Sequence, residues 1–97
     1  MDTELARTFL AIVESGSFGD AANRLHVTQS TVSSRMQRLE QSLGAALFVR
    51  NKAGASLTAA GRQFQRHASL LIRTVGQARQ EIGIVSGFRA TLSIGGR

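Results

Sequence analysis

The chain has 97 residues, of which 42% are apolar, so it is long enough for one small domain and too apolar for wholesale disorder. It contains no cysteine, which excludes disulfides and thiolate metal sites, and no apolar run approaches the roughly 18 residues of a membrane span. The formal net charge of +6 predicts an acidic partner, either nucleic acid or an anionic membrane surface.

Apolar residues at helical spacing predict two helices at the start of the chain. The stripe over residues 5–13 predicts an amphipathic helix that ends near Gly16. Ser17 is then predicted to cap a short second helix, with Asp20 three residues later as in a capping box. The residues of this helix that are expected to face inward are Phe18, Ala21, Ala22 and Leu25.

A third helix is predicted after a turn of three residues, with Thr28 as its N-cap and Gly44 just past its end. Its apolar stripe consists of Val32, Met36, Leu39 and Leu43. Two helices joined by so short a turn form a helix-turn-helix, although such turns often contain a glycine and this one has none.

The face of the third helix opposite its apolar stripe carries short neutral side chains instead of the Glu and Lys pairs of an ordinary exposed helix. Its pole consists of Ser30, Ser34, Gln37 and Gln41, with Ser33 beside it and with Arg35 and Arg38 at the flanks. Hydroxyl and amide groups can approach base edges in a major groove, and the two arginines could reach phosphates. A polar surface without a partner is the alternative.

Two short strands are predicted next, over residues 47–50 and 55–58, on either side of a turn at residues 51–54. A basic hairpin beside a helix-turn-helix can lay Arg50 or Lys52 along the minor groove or its phosphates. A hairpin that only closes the core through its apolar residues is the alternative, and the two roles are compatible because they use different side chains.

Thr58 is the predicted cap of a long last helix, which carries three heptads of an a/d seam. The seam consists of Phe64, Ala68, Leu71, Val75, Ala78, Ile82 and Val85. We expect a second copy of the chain to cover it, because the other helices already have a core of their own; packing back on its own domain is the alternative. The helix is expected to end at residues 86–87, and the alternation over residues 91–94 predicts the first strand of a second, truncated domain.

Charge is unevenly distributed along the chain. Between residues 21 and 80 there are nine Arg or Lys residues and a single acid, Glu40, whereas the acids of the first segment are expected to face away from an anion. A role in solubilising exposed helix faces is the alternative for these arginines. The two histidines, His26 and His67, have no nearby carboxylate in the sequence, so neither a catalytic site nor a metal site nor a cofactor is predicted.

Several ordered motifs occur at a characteristic spacing along the chain. They are residues 9–14, Ser17-Phe18 with Ala21-Ala22 and Leu25, residues 27–33, Leu39-Glu40, Leu43-Gly44, residues 47–50 and residues 57–61. Together they resemble the N-terminal domain of LysR-type transcriptional regulators, over residues 1 to about 90. The resemblance implies a bacterial winged helix-turn-helix on a linker helix, followed in the intact protein by an effector-binding domain of the periplasmic-binding-protein type.

The resemblance assigns the base-reading positions to Gln29, Ser30, Thr31 and Ser33. Ser34 stands where the family usually has arginine, and Arg35, one place later, is turned by about 100° around the helix, so it need not make the same contact. Arg50 matches the arginine that closes the first wing strand. Lys52 is the expected substitute for the wing-tip base of some relatives.

We therefore predict a mostly α fold, with a winged helix-turn-helix at residues 1–58, a linker and dimerisation helix at 59–88 and the start of an effector-binding domain at 89–97. The protein is expected to be a cytoplasmic, nucleoid-associated transcriptional regulator without enzymatic activity or membrane contact. It would bind an inverted repeat in double-stranded DNA as a homodimer, or as a tetramer in the full-length protein. A small-molecule effector would bind only through the missing C-terminal domain.

The predicted DNA contacts form two groups. Base contacts are assigned to Gln29, Ser30, Thr31, Ser33, Ser34 and Gln37. Contacts to the DNA backbone or minor groove are assigned to Thr28, Arg35, Arg38, Arg50 and Lys52. Two other functions stay open at this point, a non-specific architectural DNA binder and a module that only dimerises.

Overall fold

The computed structural model describes the chain from residue 3 to residue 93, and its side chains from residue 3 to residue 83. Three helices come first, namely α1 (Thr3–Ser15), α2 (Phe18–Leu25) and α3 (Gln29–Leu43). A two-stranded antiparallel wing of β1 (Phe48–Asn51) and β2 (Gly54–Leu57) follows, and the long helix α4 (Ala59–Ser93) comes last. The prediction of a mostly α winged helix-turn-helix is confirmed.

Side-chain caps begin α2 and α3 where the sequence predicts them. The Asp20 backbone N–H donates to Ser17 Oγ (3.0 Å), and the Thr31 backbone N–H donates to Thr28 Oγ1 (3.1 Å). The turn between the two helices needs no glycine, because His26 itself adopts the left-handed conformation (φ 60°) that glycine commonly takes at a helix end. Local capping therefore sets the direction in which α3 leaves α2.

The core is built around the ring of Phe9 on α1, which is fully buried. Its centroid lies 5.2 Å from that of Phe48 on β1 and 4.9 Å from that of Phe64 on α4, the second pair edge to face. The other large apolar side chains with almost no exposed surface are Ile12, Val32, Met36, Leu39 and Leu47. One core thus joins the three helices, the wing and the beginning of α4.

A close backbone contact holds the wing against the turn between α1 and α2. The Ala55 N–H donates to the carbonyl oxygen of Gly16 (2.9 Å). Gly54 beside it has a φ of 137°, and a Cβ at this position would overlap the same oxygen. Each strand lies one residue closer to the turn than the predicted 47–50 and 55–58, which leaves a turn of two residues.

The first half of α4 packs back on its own domain, which corrects part of the dimer prediction. Phe64 is 8% exposed and Ala68 is fully buried in the core, while Leu71 packs partly against it. Side chains that are already buried within one chain have no surface to offer to a second copy. An a/d spacing specifies which residues share a face of the helix, and it leaves open what covers that face.

Helix α4 also continues further than the sequence predicts. The expected end at residues 86–87 and the expected strand over residues 91–94 are replaced by helix through Ser93, and Ile94 lies outside the described residues. One glycine inside a helix costs about 1 kcal/mol relative to alanine, which weakens the helix without ending it. Among residues 3–93, no helix is long and apolar enough to cross a membrane.

Candidate nucleic-acid interface

The outer face of α3 presents polar side chains along its whole length. The exposed ones are Gln29, Ser30, Ser34, Gln37, Arg38 and Gln41, and the partly exposed ones are Thr31 and Ser33. The helix has one acid, Glu40, and its carboxylate is turned to the backbone of the wing. A polyanion approaching this face therefore meets hydroxyls, amides and one arginine.

Three hydroxyl groups form a hydrogen-bonded cluster at the start of α3. Thr28 Oγ1 lies 3.1 Å from Ser30 Oγ and 2.9 Å from Thr31 Oγ1, and it also accepts the Thr31 backbone N–H. Each hydroxyl offers one donor and two acceptor sites, so Ser30 and Thr31 keep hydrogen-bonding capacity toward a ligand. The cap holds these groups in place, which reduces the entropy lost when they bind.

Arg35 is bound within the chain and does not belong to the exposed cations. Its Nη1 donates to Glu4 Oε2 and to Thr8 Oγ1, both at 3.2 Å, and only 22% of its side chain is exposed. Thr8 is fully buried on α1, so the guanidinium lies against that helix. These contacts argue against the predicted contact of Arg35 with DNA phosphates: one step around α3 from Ser34 takes it off the outer face, and Glu4 compensates its charge.

Arg38 and Lys52 are exposed cations on two different elements. Neither has a hydrogen bond or an ion pair with any other part of the chain that the structure describes. Lys52 lies in the wing turn, which is closed by a hydrogen bond from the Ala53 N–H to Asn51 Oδ1 (2.9 Å). Both charges are therefore available to an anion.

Arg50 on β1 is held by an aromatic ring. Its Cζ lies 4.1 Å from the centroid of the Phe18 ring, within the range of a cation–π contact. Phe18 is itself 7% exposed, and its ring meets that of Phe48 edge to face at 5.8 Å. The contact orients the guanidinium and leaves its positive charge without a neutralising partner.

Glu40 is a residue of this region that sequence reasoning missed. Its Oε2 accepts the backbone N–H groups of Leu47 (2.8 Å) and Phe48 (3.4 Å). A carboxylate that holds two backbone donors fixes the start of the wing relative to α3. The available signal was its isolation, because it is the single acid between residues 21 and 80.

The second half of α4 carries the rest of the predicted dimer seam. Val75 is partly exposed, Ala78 is exposed and 63% of Ile82 is exposed, whereas Val85 lies outside the residues whose side chains are described. Unlike the buried first half of the seam, these three side chains are available to a second copy of the chain.

The described side chains include no candidate metal centre. No group of three or more His, Cys, Asp or Glu residues stands close enough together within residues 3–83. His26 ends α2, and His67 is exposed on α4. The groups that the structure brings together on this side of the molecule are hydroxyls, amides and cations.

Comparison with known sequences places the chain among bacterial regulators. Residues 3–62 match the family of bacterial regulatory helix-turn-helix proteins known as the lysR family. The HTH-type transcriptional regulator HdfR of Shigella boydii is 44% identical over 86 residues, which cover 89% of this chain and 31% of that protein. HdfR of Yersinia pestis is 44% identical over 95 residues, which cover 98% and 32%. The chain spans about a third of the length of these relatives.

Solved structures with the same fold include complexes with DNA. The DNA-binding domain of CbnR in complex with DNA matches with a TM-score of 0.83 and 34% identity, over 89% of this chain and 99% of that one. The DNA-binding domain of BenM with benA site 1 DNA matches with a TM-score of 0.83 and 31% identity, over 89% and 97%. The similarity covers the helix-turn-helix, the wing and most of α4.

Proposed function

Because this chain belongs to the LysR family of bacterial regulatory helix-turn-helix proteins, we propose that it is the DNA-reading domain of a transcriptional regulator. The observation that carries the proposal is the outer face of α3, which is neutral and polar at its centre and bordered by the exposed Arg38. Hydroxyls and amides suit base edges in the major groove, and cations suit the phosphates beside it. CbnR and BenM, whose DNA-binding domains share this fold, form complexes with DNA.

In this proposal α3 enters the major groove and the wing lies along the minor groove or its phosphates. The base-reading residues are Gln29, Ser30, Thr31, Ser33, Ser34 and Gln37. The residues that contact the backbone are Thr28, Arg38, Arg50 and Lys52. Arg35 is left out of this group because Glu4 neutralises it.

A homodimer belongs to the same proposal. Short reading side chains on one α3 contact few bases, so specificity requires a second copy that reads the other half of an inverted repeat. The exposed seam residues Val75, Ala78 and Ile82 on α4 support this pairing. Tetramer formation and the binding of a small-molecule effector are proposed only for the full-length protein, which would act in the bacterial cytoplasm at the nucleoid.

Selection of duplexes from a randomised library, followed by affinity measurements, tests this function. At physiological salt we expect the affinity for the selected duplex to be at least about a thousandfold higher than the affinity for a scrambled duplex of the same composition. Gln37→Ala should lower this ratio by about five- to 150-fold, because a good amide–base contact contributes about 1–3 kcal/mol of discrimination. Gln77→Ala, at an exposed glutamine on α4, is the matched control and should leave the ratio unchanged.

Equal affinity for the selected and scrambled duplexes would contradict sequence-specific reading. That result would favour the second candidate, a non-specific architectural DNA binder. This candidate stays open because the side chains at the pole of α3 are short and can contact few bases. The cations that contact DNA phosphates would then be the main source of affinity.

A further inference from the structure

Arg35 on α3 and Arg50 on β1 are anchored in different ways. Arg35 is anchored by the carboxylate of Glu4 at 3.2 Å, whereas Arg50 is anchored by the ring of Phe18 at 4.1 Å from its centroid. A carboxylate cancels the charge of the guanidinium that it orients. An aromatic ring orients the guanidinium through its face and leaves the full positive charge for an anion.

We propose that Phe18 is a positioning residue for DNA binding, which acts by holding the guanidinium of Arg50 in place for a phosphate. The inference rests on the proposed function and goes one step beyond it, because Phe18 is buried and is not among the residues proposed to contact DNA. The in-plane N–H groups of a guanidinium lying over a ring remain available as donors.

The Phe18 ring is a rigid support. It contacts the Phe48 ring edge to face at 5.8 Å, and the Phe48 ring in turn lies 5.2 Å from the Phe9 ring. The ring under Arg50 is therefore packed against the centre of the core. Ser17, which caps α2 through the Asp20 N–H, fixes the backbone at this point. The ring can therefore hold an arginine without moving itself.

The wing is tied to the same turn a second time. Ala55 is the residue paired with Arg50 across the wing ladder, and its N–H donates to the carbonyl oxygen of Gly16, two residues before Phe18. The backbone contact sets the position of the strand pair, and the ring sets the direction of the Arg50 side chain. A mobile arginine loses side-chain entropy when it binds DNA, and an arginine already held in place loses less of it.

The affinity test uses the full chain and four variants on one selected duplex. Arg50→Gln should make the negative slope of log K against log salt less steep by about 0.9, as expected for one lost phosphate contact. Phe18→Leu should weaken binding about two- to tenfold, the range expected for immobilising one long side chain. The same change in an Arg50→Gln background should have no further effect. Phe18→Tyr, which keeps the aromatic face, should restore the parent affinity.

Phe64→Leu is the matched control. Phe64 is 8% exposed, against 7% for Phe18, and its ring contacts another core ring without carrying a cation. Phe64→Leu should lower the melting temperature about as much as Phe18→Leu does. Its effect on DNA affinity should be the same with Arg50 and with Arg50→Gln. An equal loss of affinity from Phe18→Leu with and without Arg50, or no loss at all, would overturn the positioning role.

A second measurement covers the case in which Phe18→Leu does not fold. The NMR signals of the Arg50 side chain in the parent protein should lie upfield of their random-coil positions, with and without DNA, because of the ring current of Phe18. Random-coil positions in both states would overturn the proposal. A parent chain that binds selected and scrambled duplexes equally would instead contradict the proposed function, so the two failures are distinguishable.

Discussion

Arg35→Gln and Arg38→Gln each remove one positive charge from α3, but one should affect stability and the other DNA binding. Arg35 is paired with Glu4 and lies against α1, whereas Arg38 is exposed and has no ion-pair partner within the described chain. We expect Arg35→Gln to lower the free energy of unfolding and Arg38→Gln to weaken DNA binding. The two variants are controls for each other, because the change in formal charge is the same.

The loss of stability in Arg35→Gln follows from its contacts. The ion pair with Glu4 has side chains that are 22% and 54% exposed, so it contributes about 1 kcal/mol or less, and the bond to Thr8 adds about the same. Thr8 Oγ1 keeps its bond to the Glu4 carbonyl oxygen (2.8 Å), so no buried polar atom is left without a partner. We expect a loss of about 1–2 kcal/mol, and each 1 kcal/mol lowers the melting temperature by about 4–8 °C in a domain of this size.

The effect of Arg38→Gln on binding follows from counterion release. Arg38, Arg50 and Lys52 are the three cations proposed to meet phosphates, which gives a slope of log K against log salt of about −3 for each bound chain. Removing Arg38 should reduce the steepness of this slope by about 0.9, with little change in the melting temperature. Arg35→Gln should leave the slope at its parent value.

Fluorescence anisotropy of a labelled selected duplex at several salt concentrations measures this slope, and circular dichroism during heating measures the melting temperature. The assignment of the two arginines is refuted if Arg35→Gln flattens the slope as much as Arg38→Gln does while it melts at the parent temperature.

Three further variants test other contacts. Gly54→Ala should cost at least about 2 kcal/mol in urea unfolding, because its φ is 137° and the new Cβ would overlap the carbonyl oxygen of Gly16. Glu40→Gln should cost about 1 kcal/mol in the same assay, because a neutral oxygen accepts the Leu47 N–H more weakly than a carboxylate does. Ile82→Asp should raise the dissociation constant of the dimer about tenfold or more in sedimentation equilibrium, since it places a charge in the open part of the seam.

Matched changes on the exposed surface of α4 serve as controls. Gly76→Ala adds a Cβ in open space, Glu81→Gln removes an exposed acid, and Gln80→Asp adds a charge off the seam. Each prediction is wrong if the test variant and its control give the same change.

The parts of the fold that were predictable are those encoded over a few residues. The caps at Ser17 and Thr28 each act on a backbone N–H three residues later, and Gly44 ends α3 with a φ of 72°. Such signals need no knowledge of the tertiary structure, so the order of elements and the exposed face of α3 followed from the sequence. The wing was predictable for the same reason, apart from a shift of one residue in each strand.

The parts that were not predictable depend on residues distant in sequence. Arg35 and its partner Glu4 are 31 positions apart, and the angle of Arg35 around α3 did not reveal that α1 lies beside it. The seam on α4 posed the same problem, because its spacing is compatible with packing either on its own domain or on a second copy of the chain. Phe64 reaches the Phe9 ring of its own chain, while Ile82, further along α4, remains exposed.

Folding also changes what the charge of this chain means for binding. The acids of α1 were expected only to face away from an anion, yet Glu14 pairs with Arg24 on α2 at 2.9 Å and Glu4 pairs with Arg35 on α3 at 3.2 Å. Both acids therefore tie a later helix to α1 and withdraw a cation from the supply available to DNA. Arg50 shows the other solution, in which an aromatic ring orients the cation without neutralising it. The count of twelve Lys and Arg residues thus overstates the number of cations that can attract phosphates, and the identity of each anchor decides which cations count.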